Sequence, residues 1–303
     1  MKHIALQALI SAIEEGSIRG AALRLGISQP AVTKIIKELE RDVESTLLMR
    51  SSLGVTPSPQ GQRLYEHAKK VVRELAIARD EIYQMSGHMR GDLSIGAVPL
   101  AVMLLMPEAI RTFSRDFPDI NIRMSEELYF EQLERLRRGD VQVAVGGIPQ
   151  GLSAGEFVVE PLLETQMVVI VNKKHRHKNA RSLKELASLP WVYTGASKDD
   201  GYARVLFESH GLSAPRVGAI VNSTLALLSL VGSGDFVGLM PLQIAQLPLA
   251  AEFLSIVPVK EKGLPLTVGA MVRSDAVVTP SVRHFINHLH RAAHHINQAS
   301  HQV

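Results

Sequence analysis

Residues 28–43 read Ser28-Gln29-Pro30-Ala31-Val32-Thr33-Lys34-Ile35-Ile36-Lys37-Glu38-Leu39-Glu40-Arg41-Asp42-Val43, and this order dictates an amphipathic helix. Ser28 has N-cap chemistry, and Pro30 falls in the first turn, where a missing N–H costs nothing. Val32, Ile35, Ile36, Leu39 and Val43 recur at helical spacing on one face. Gln29, Thr33, Lys34, Lys37 and Arg41 fall on the other. One face packs and the other stays wet.

Upstream, Ser17 caps a shorter helix, Ile18 to Leu25, which Gly26 closes in the left-handed conformation. Gly20, Ala21 and Ala22 are small enough for two helix axes to cross closely. The pair is a helix-turn-helix whose second helix offers Gln29, Thr33, Lys34 and Lys37. Amides and hydroxyls read base edges, and lysines neutralise phosphate or reach guanine. An ordinary helical hairpin with a solvated polar face has the same pattern. The next stretch favours nucleic acid: Thr46 to Thr56 reads as strand, Gly54 turn and strand, the hairpin wing of a winged domain. Ile4, Leu6, Leu9, Ile10 and Ile13 form the stripe of a first helix packed on the other two.

The run "GSIRGAALRLGISQPAVTKIIKELERDVESTLLMR" followed by "GVTPSPQGQRL" resembles the N-terminal region of the LysR-type transcriptional regulators. Ser28 to Val32 match the family's pattern for the start of the recognition helix residue for residue. The resemblance implies double-stranded DNA as partner, with Ser28, Gln29, Pro30, Thr33, Lys34 and Lys37 at the interface and Arg50 of the wing on phosphate. The chain departs from the family at Leu48-Met49, where Leu-Phe is usual before the wing arginine. It departs again at Leu53, where a basic residue and its phosphate contact are common.

The chain has 303 residues, 46% of them apolar, enough for two or three domains with real cores. Zero cysteines exclude disulfides, thiol nucleophiles and thiolate zinc sites. Residues 1–91 carry 13 Lys and Arg against 10 Asp and Glu, so they hold the whole net charge of +3. That footprint is weak for one copy and favours a dimer. No run is long and apolar enough for a bilayer, and Met1-Lys2-His3-Ile4 leads straight into an amphipathic helix, so the expected place is the cytoplasm, with no membrane partner.

Ser58 and Pro59 open a long helix. Along it Leu64, Ala68, Val71, Leu75, Ala78, Ile82, Met85 and Met89 alternate spacings of four and three, a heptad seam that calls for a partner helix. Homodimerisation through Leu64 to Met85 is therefore expected, and the family resemblance extends this to a homotetramer. Gly87 and Gly91 flank a hinge.

From Asp92 the grammar changes to alternating strands and helices, which predicts a mostly parallel sheet. Strands are expected at Leu93–Val98, Asn121–Glu126, Val141–Gly146, Trp191–Thr194, Val217–Val221, Phe236–Met240 and Leu266–Val272. The segment Phe157–Val171 carries the chain between two units. Helices are expected up to Phe117, at Phe130–Arg138, Ser182–Leu189, Tyr202–His210 and Thr224–Val231, and from Pro280 onward. This resembles the two-lobed periplasmic-binding-protein fold with which LysR-type regulators sense small molecules.

Ligands in such sheets sit beyond the carboxyl ends of the strands, against helix N-termini. The expected effector-binding residues are Pro99, Leu100, Ala101, Tyr129, Gly147, Ser197, Lys198, Asn222, Ser223 and Thr224, and the expected effector is an anionic metabolite. Asn222, Ser223 and Ser197 have helix-cap chemistry whatever the cleft does. By resemblance, Leu100 replaces a hydroxyl that contacts the effector in many relatives, and Gly147 stands where some aromatic-acid sensors carry an arginine.

Six histidines, His284, His288, His290, His294, His295 and His301, lie in or beyond the last helix. Without a His-Glu-x-x-His arrangement they read as a solvated face, and no metal or cofactor is expected. Lys173 to Lys178 reads as a solvated basic turn. No Gly-x-Ser-x-Gly, Walker loop or complete dinucleotide fingerprint occurs.

The sequence therefore predicts a winged helix-turn-helix at 1–58, a linker and dimerisation helix at 59–91, and an α/β effector module at 92–303. Within the module, lobe I comprises 92–163 and 266–303, and lobe II comprises 164–265. The expected function is sequence-specific, effector-modulated transcriptional regulation. The competing reading is a small-molecule-binding protein or enzyme on a periplasmic-binding fold with a helical N-terminal extension.

Overall fold

The computed structural model describes residues 1–51, 54–148, 152, 155–195 and 201–300. They form two compact units, Met1–His88 and Met89–Val303. Among the described residues no helix is long and apolar enough to cross a membrane.

The first unit contains helices α1 (His3–Glu14), α2 (Ile18–Leu25) and α3 (Gln29–Asp42), a hairpin of β1 (Leu48–Ser51) and β2 (Gly54–Pro57), and the long helix α4 (Pro59–Met85). Ser17, Ser28 and Ser58 cap α2, α3 and α4, their hydroxyls accepting from Gly20 N, Ala31 N and Gly61 N. Gly26 closes α2 at φ +66°. Leu9, Ala12, Ala21, Val32, Ile36 and Leu39 are buried together between the first three helices. The stripes read from the sequence supply this core, except that Ile4 of α1 is exposed, because it lies in the first turn of the helix.

The start of α4 is locked onto the wing. Ser58 N donates to Leu47 O at 2.9 Å, and Ser58 Oγ donates to Thr46 O at 2.6 Å. Gly61 passes so close that a Cβ there would lie 1.9 Å from Leu47 O. Tyr65 Oη donates to Glu14 at 3.0 Å, and Glu14 also binds Arg24 at 2.6 Å, which ties α4, α1 and α2. Leu64 packs on the unit's core and Ala68 is buried, so the seam's first two positions serve the chain itself. Val71, Leu75, Ala78, Ile82 and Met85 are exposed, Met85 at 74%.

The second unit runs β3 (Gly91–Ala97), α5 (Pro99–Leu104), α6 (Met106–Asp116), β4 (Ile120–Glu126), α7 (Tyr129–Arg137), β5 (Val143–Gly147) and β6 (Phe157–Asn172). It continues through a 3-10 turn (Leu183–Leu186), β7 (Trp191–Thr194), α8 (Tyr202–Ser209), β8 (Val217–Val221), α9 (Thr224–Gly232) and β9 (Gly238–Pro241). Then come α10 (Leu242–Gln246), α11 (Pro248–Ala251), β10 (Leu254–Ile256), β11 (Pro265–Arg273) and α12 (Pro280–Ser300).

The sheet differs from the mostly parallel expectation in one strand per lobe. β3 is parallel to β4 and β5, but β11 is antiparallel to β5 and β6. In the other lobe β7 and β8 are parallel, while β6 is antiparallel to β9 and β10. The reversed strands are the two that cross between lobes without a helical crossover, so the helix-linked geometry that enforces parallel pairing does not govern them.

Three local expectations are also corrected. Pro107 splits the helix before Phe117 into α5 and α6, because it has no N–H to continue the ladder. The helix expected at Ser182–Leu189 is only the 3-10 turn, capped by Ser182. His288 and His175 are buried, not solvated; His288 Nδ1 lies 2.8 Å from Thr112 Oγ1, with Phe113 and Phe117 against its ring. Burial holds both histidines below the ordinary imidazole range.

Gly61→Ala should destabilise the first unit by at least about 2 kcal/mol, since the clash is with backbone. Urea unfolding should show an earlier far-ultraviolet dichroism transition, while fluorescence of Trp191, the one tryptophan, keeps its midpoint.

Candidate functional site

Two surfaces carry the chemistry, one in each unit. In the first, α3 buries Val32, Ile36 and Leu39 and leaves Ser28, Gln29, Pro30, Lys34 and Lys37 exposed, with Thr33 half-buried. Glu40, on the same helix, accepts from Leu47 N at 2.8 Å and Leu48 N at 3.2 Å, and so fixes where the chain enters the wing. Val55 N donates to Gly16 O at 2.8 Å, tying the wing to the turn between α1 and α2. Sequence reasoning missed Glu40 and Gly16: Glu40 bonds backbone N–H groups past the end of its helix, Gly16 acts through its backbone on a residue far along the chain, and neither leaves a side-chain pattern. Arg50 lies in β1; its side chain is outside the described residues.

In the second unit a cavity of about 100 Å³ opens beyond the carboxyl ends of β3 and β5. Pro99, Leu100, Gly147 and Thr224 line it, as the sequence suggests. Ala101 is buried behind Leu100 and is not part of the wall. Asn222 is exposed, and Ser223 caps α9 by accepting from Ala226 N at 3.4 Å; neither lines the cavity. Ser197 and Lys198 lie outside the described residues, as does the Tyr129 side chain.

Much of the remaining wall is apolar and comes from the second lobe, including Met167, Leu227, Met240 and Ile244, with Leu266 of β11. These residues read as core in any strand or helix, so no sequence signal marks them as cleft. Tyr202 was likewise legible only as a helix start. Burial raises its phenol above the usual tyrosine range, and among the described residues its hydroxyl has no hydrogen-bond partner. Helices α5, α7 and α8 begin at the same space, with Val98, Leu128 and Tyr202 in its wall. Their N-cap residues, Val98, Leu128 and Gly201, supply no capping side chain.

Below the cavity Gln132 is fully buried and holds the strand ends together. Its Nε2 donates to Gly96 O and Val145 O, both at 3.0 Å. Beside it the buried Glu127 carboxylate pairs with Arg135, which also donates to Ser125 Oγ at 2.9 Å. Among the described residues no group of three or more His, Cys, Asp and Glu is placed to hold a metal ion.

Comparison with known proteins follows this division. Residues 4–62 match the family model described as "Bacterial regulatory helix-turn-helix protein, lysR family", and residues 86–294 match "LysR substrate binding domain". The chain is 29% identical over 265 residues to the HTH-type transcriptional regulator TdcA of Escherichia coli strain K12, covering 86% of this chain and 83% of TdcA. It is 27% identical over 282 residues to the HTH-type transcriptional regulator GalR of Pseudomonas putida, covering 91% of this chain and 70% of that one. Its fold is that of CbnR, a LysR family transcriptional regulator, with a TM-score of 0.71 at 21% identity over 97% of this chain and 99% of CbnR.

Gln132→Leu should lower the unfolding free energy of the second unit by about 1–3 kcal/mol, because two strand-end carbonyls lose a buried donor. Trp191 fluorescence in urea checks this, and an unchanged midpoint would mean the carbonyls do not depend on Gln132.

Proposed function

The chain belongs to the LysR family of DNA-binding transcriptional regulators, with an effector-binding module, and from that premise we propose which of its residues read DNA and which sense the effector. The observation that carries the reading is α3: three buried apolar residues on one face and a wet face of Gln29, Pro30, Thr33, Lys34 and Lys37 on the other. Gln29 and Thr33 read base edges, Lys34 and Lys37 meet phosphate or guanine, and Ser28 sets the helix start. Arg50 contacts backbone phosphate from the wing.

Dimerisation uses the exposed part of the seam, Val71, Leu75, Ala78, Ile82 and Met85. Two copies double the phosphate contacts of a weakly basic head and read two half-sites. The working assembly is a homodimer through α4, extended to a homotetramer, in the cytoplasm. The chain divides functionally at residues 58 and 91, and its effector module divides into lobe I (92–163 and 266–303) and lobe II (164–265).

The effector is a small anionic metabolite bound between the lobes. Support comes from the uncapped first turns of α7 and α8 at an otherwise apolar cavity. Pro99, Leu100, Gly147 and Thr224 contact it, and Tyr202 joins them. Binding shifts the regulator between states only by its differential affinity for them.

Lys34→Ala should reduce the slope of log affinity against log salt by about 1 per subunit. Thr33→Ala should cost about 1–3 kcal/mol on the operator and relax one base position. Fluorescence anisotropy on operator and scrambled duplexes checks both, and equal losses on both duplexes for Thr33→Ala would remove it from base reading. Ile82→Glu should shift sedimentation equilibrium toward smaller species, whereas an unchanged assembly would place the dimer contact elsewhere.

A further inference from the structure

The cavity's size and wall narrow the chemistry of its ligand. An apolar cavity of about 150 Å³ admits one benzene ring. This one, at about 100 Å³ and open on one side, is smaller. Its hydrocarbon capacity is about three or four carbons on the same scale. Leu100 faces it from the first lobe, Leu227, Met240 and Ile244 from the second, and Leu266 from the strand that joins them. Walls of this kind on opposing sides suit a compact, branched body better than a flat one.

The polar side chains in the described wall are the hydroxyls of Thr194, Tyr202 and Thr224, and none of the described lining residues is charged. Among the described lining residues a second carboxylate or an ammonium group would find no counter-charge. The Tyr202 hydroxyl, partnerless among the described residues, can donate to a single acceptor on the ligand.

We propose that the effector is a compact aliphatic monocarboxylate, its hydrocarbon part of about three or four carbons enclosed by Leu100, Leu227, Met240, Ile244 and Leu266 and its oxygen on Tyr202. This rests on the reading of the effector as an anion. Other regulators of the same fold are not thereby assigned the same ligand, because the wall residues are this chain's own.

Two positions tune the cavity in opposite directions. Leu266 is half-buried, so its truncation enlarges the space with little cost to the core. A Cβ on Gly147 would meet Leu266 Cδ1 at 2.8 Å, so Gly147→Ala shrinks it, and the contact is with a side chain that can give.

The test is isothermal titration of the full-length protein with propionate, isobutyrate, isovalerate, hexanoate, benzoate, succinate and isobutyramide. Affinity should rise about fourfold per added methylene up to isovalerate, then fall at least tenfold at hexanoate and benzoate. Leu266→Ala should move the optimum to hexanoate, Gly147→Ala should move it to propionate, and Tyr202→Phe should weaken every acid. Tighter binding of benzoate or succinate than of isobutyrate would overturn the proposal, as would an optimum that neither variant moves, or no binding at all. Equal affinity for isobutyramide and isobutyrate, with the size optimum intact, would sink only the anion reading and leave the aliphatic body in place.

Discussion

The effector module depends on two strands that run edge to edge through it. β6, with 16 residues, and β11 pair from Phe157 with Arg273 to Gln166 with Pro265, and β6 continues on to pair with β9 and β10. Every other strand of the large sheet is added to one side or the other of this ribbon. Because β11 is antiparallel to its neighbours in the first lobe and β6 is antiparallel in the second, the carboxyl ends of the remaining strands can face a shared space. Leu266, on the ribbon itself, forms part of that space. A cleft built in this way is bounded by backbone hydrogen bonds, and its side walls are free to vary in chemistry.

The first unit obeys a comparable constraint on a smaller scale. Three helices, two of them capped by serine, share one buried core, and the wing is held by Glu40 on one side and Gly16 on the other. The tight passage of Gly61 beneath Leu47 and the Glu14 bridge between Tyr65 and Arg24 then give the linker helix a fixed origin. The recognition helix and the long helix α4 are therefore joined through the same hydrogen bonds within the first unit.

The helix-turn-helix was legible because its determinants are local. Ser28, Pro30, Gly26 and the Val32–Ile36–Leu39 stripe act within a few residues of one another. The wing and the α/β alternation were legible for the same reason. The reversed strands were not, since strand direction follows from which elements a strand pairs with, and nothing in Phe157–Val171 encodes that. The cavity lining was half legible: Pro99, Leu100, Gly147 and Thr224 follow from the rule that ligands sit at strand ends. Met167, Met240 and Ile244 could not be told from core, and Asn222 and Ser223 stay off the wall, Ser223 as the cap of α9, because cap chemistry and ligand chemistry use the same side chains.

The central claim is that α3, in a paired arrangement, reads specific DNA. The direct measurement is recovery and sequencing of fragments that the full-length protein retains from genomic DNA at low and high salt. The account predicts that a small set of sites survives high salt, each with dyad symmetry and half-sites separated by whole helical turns. Uniform loss of all fragments with rising salt, with no site standing out, would contradict it, because binding would then be electrostatic alone.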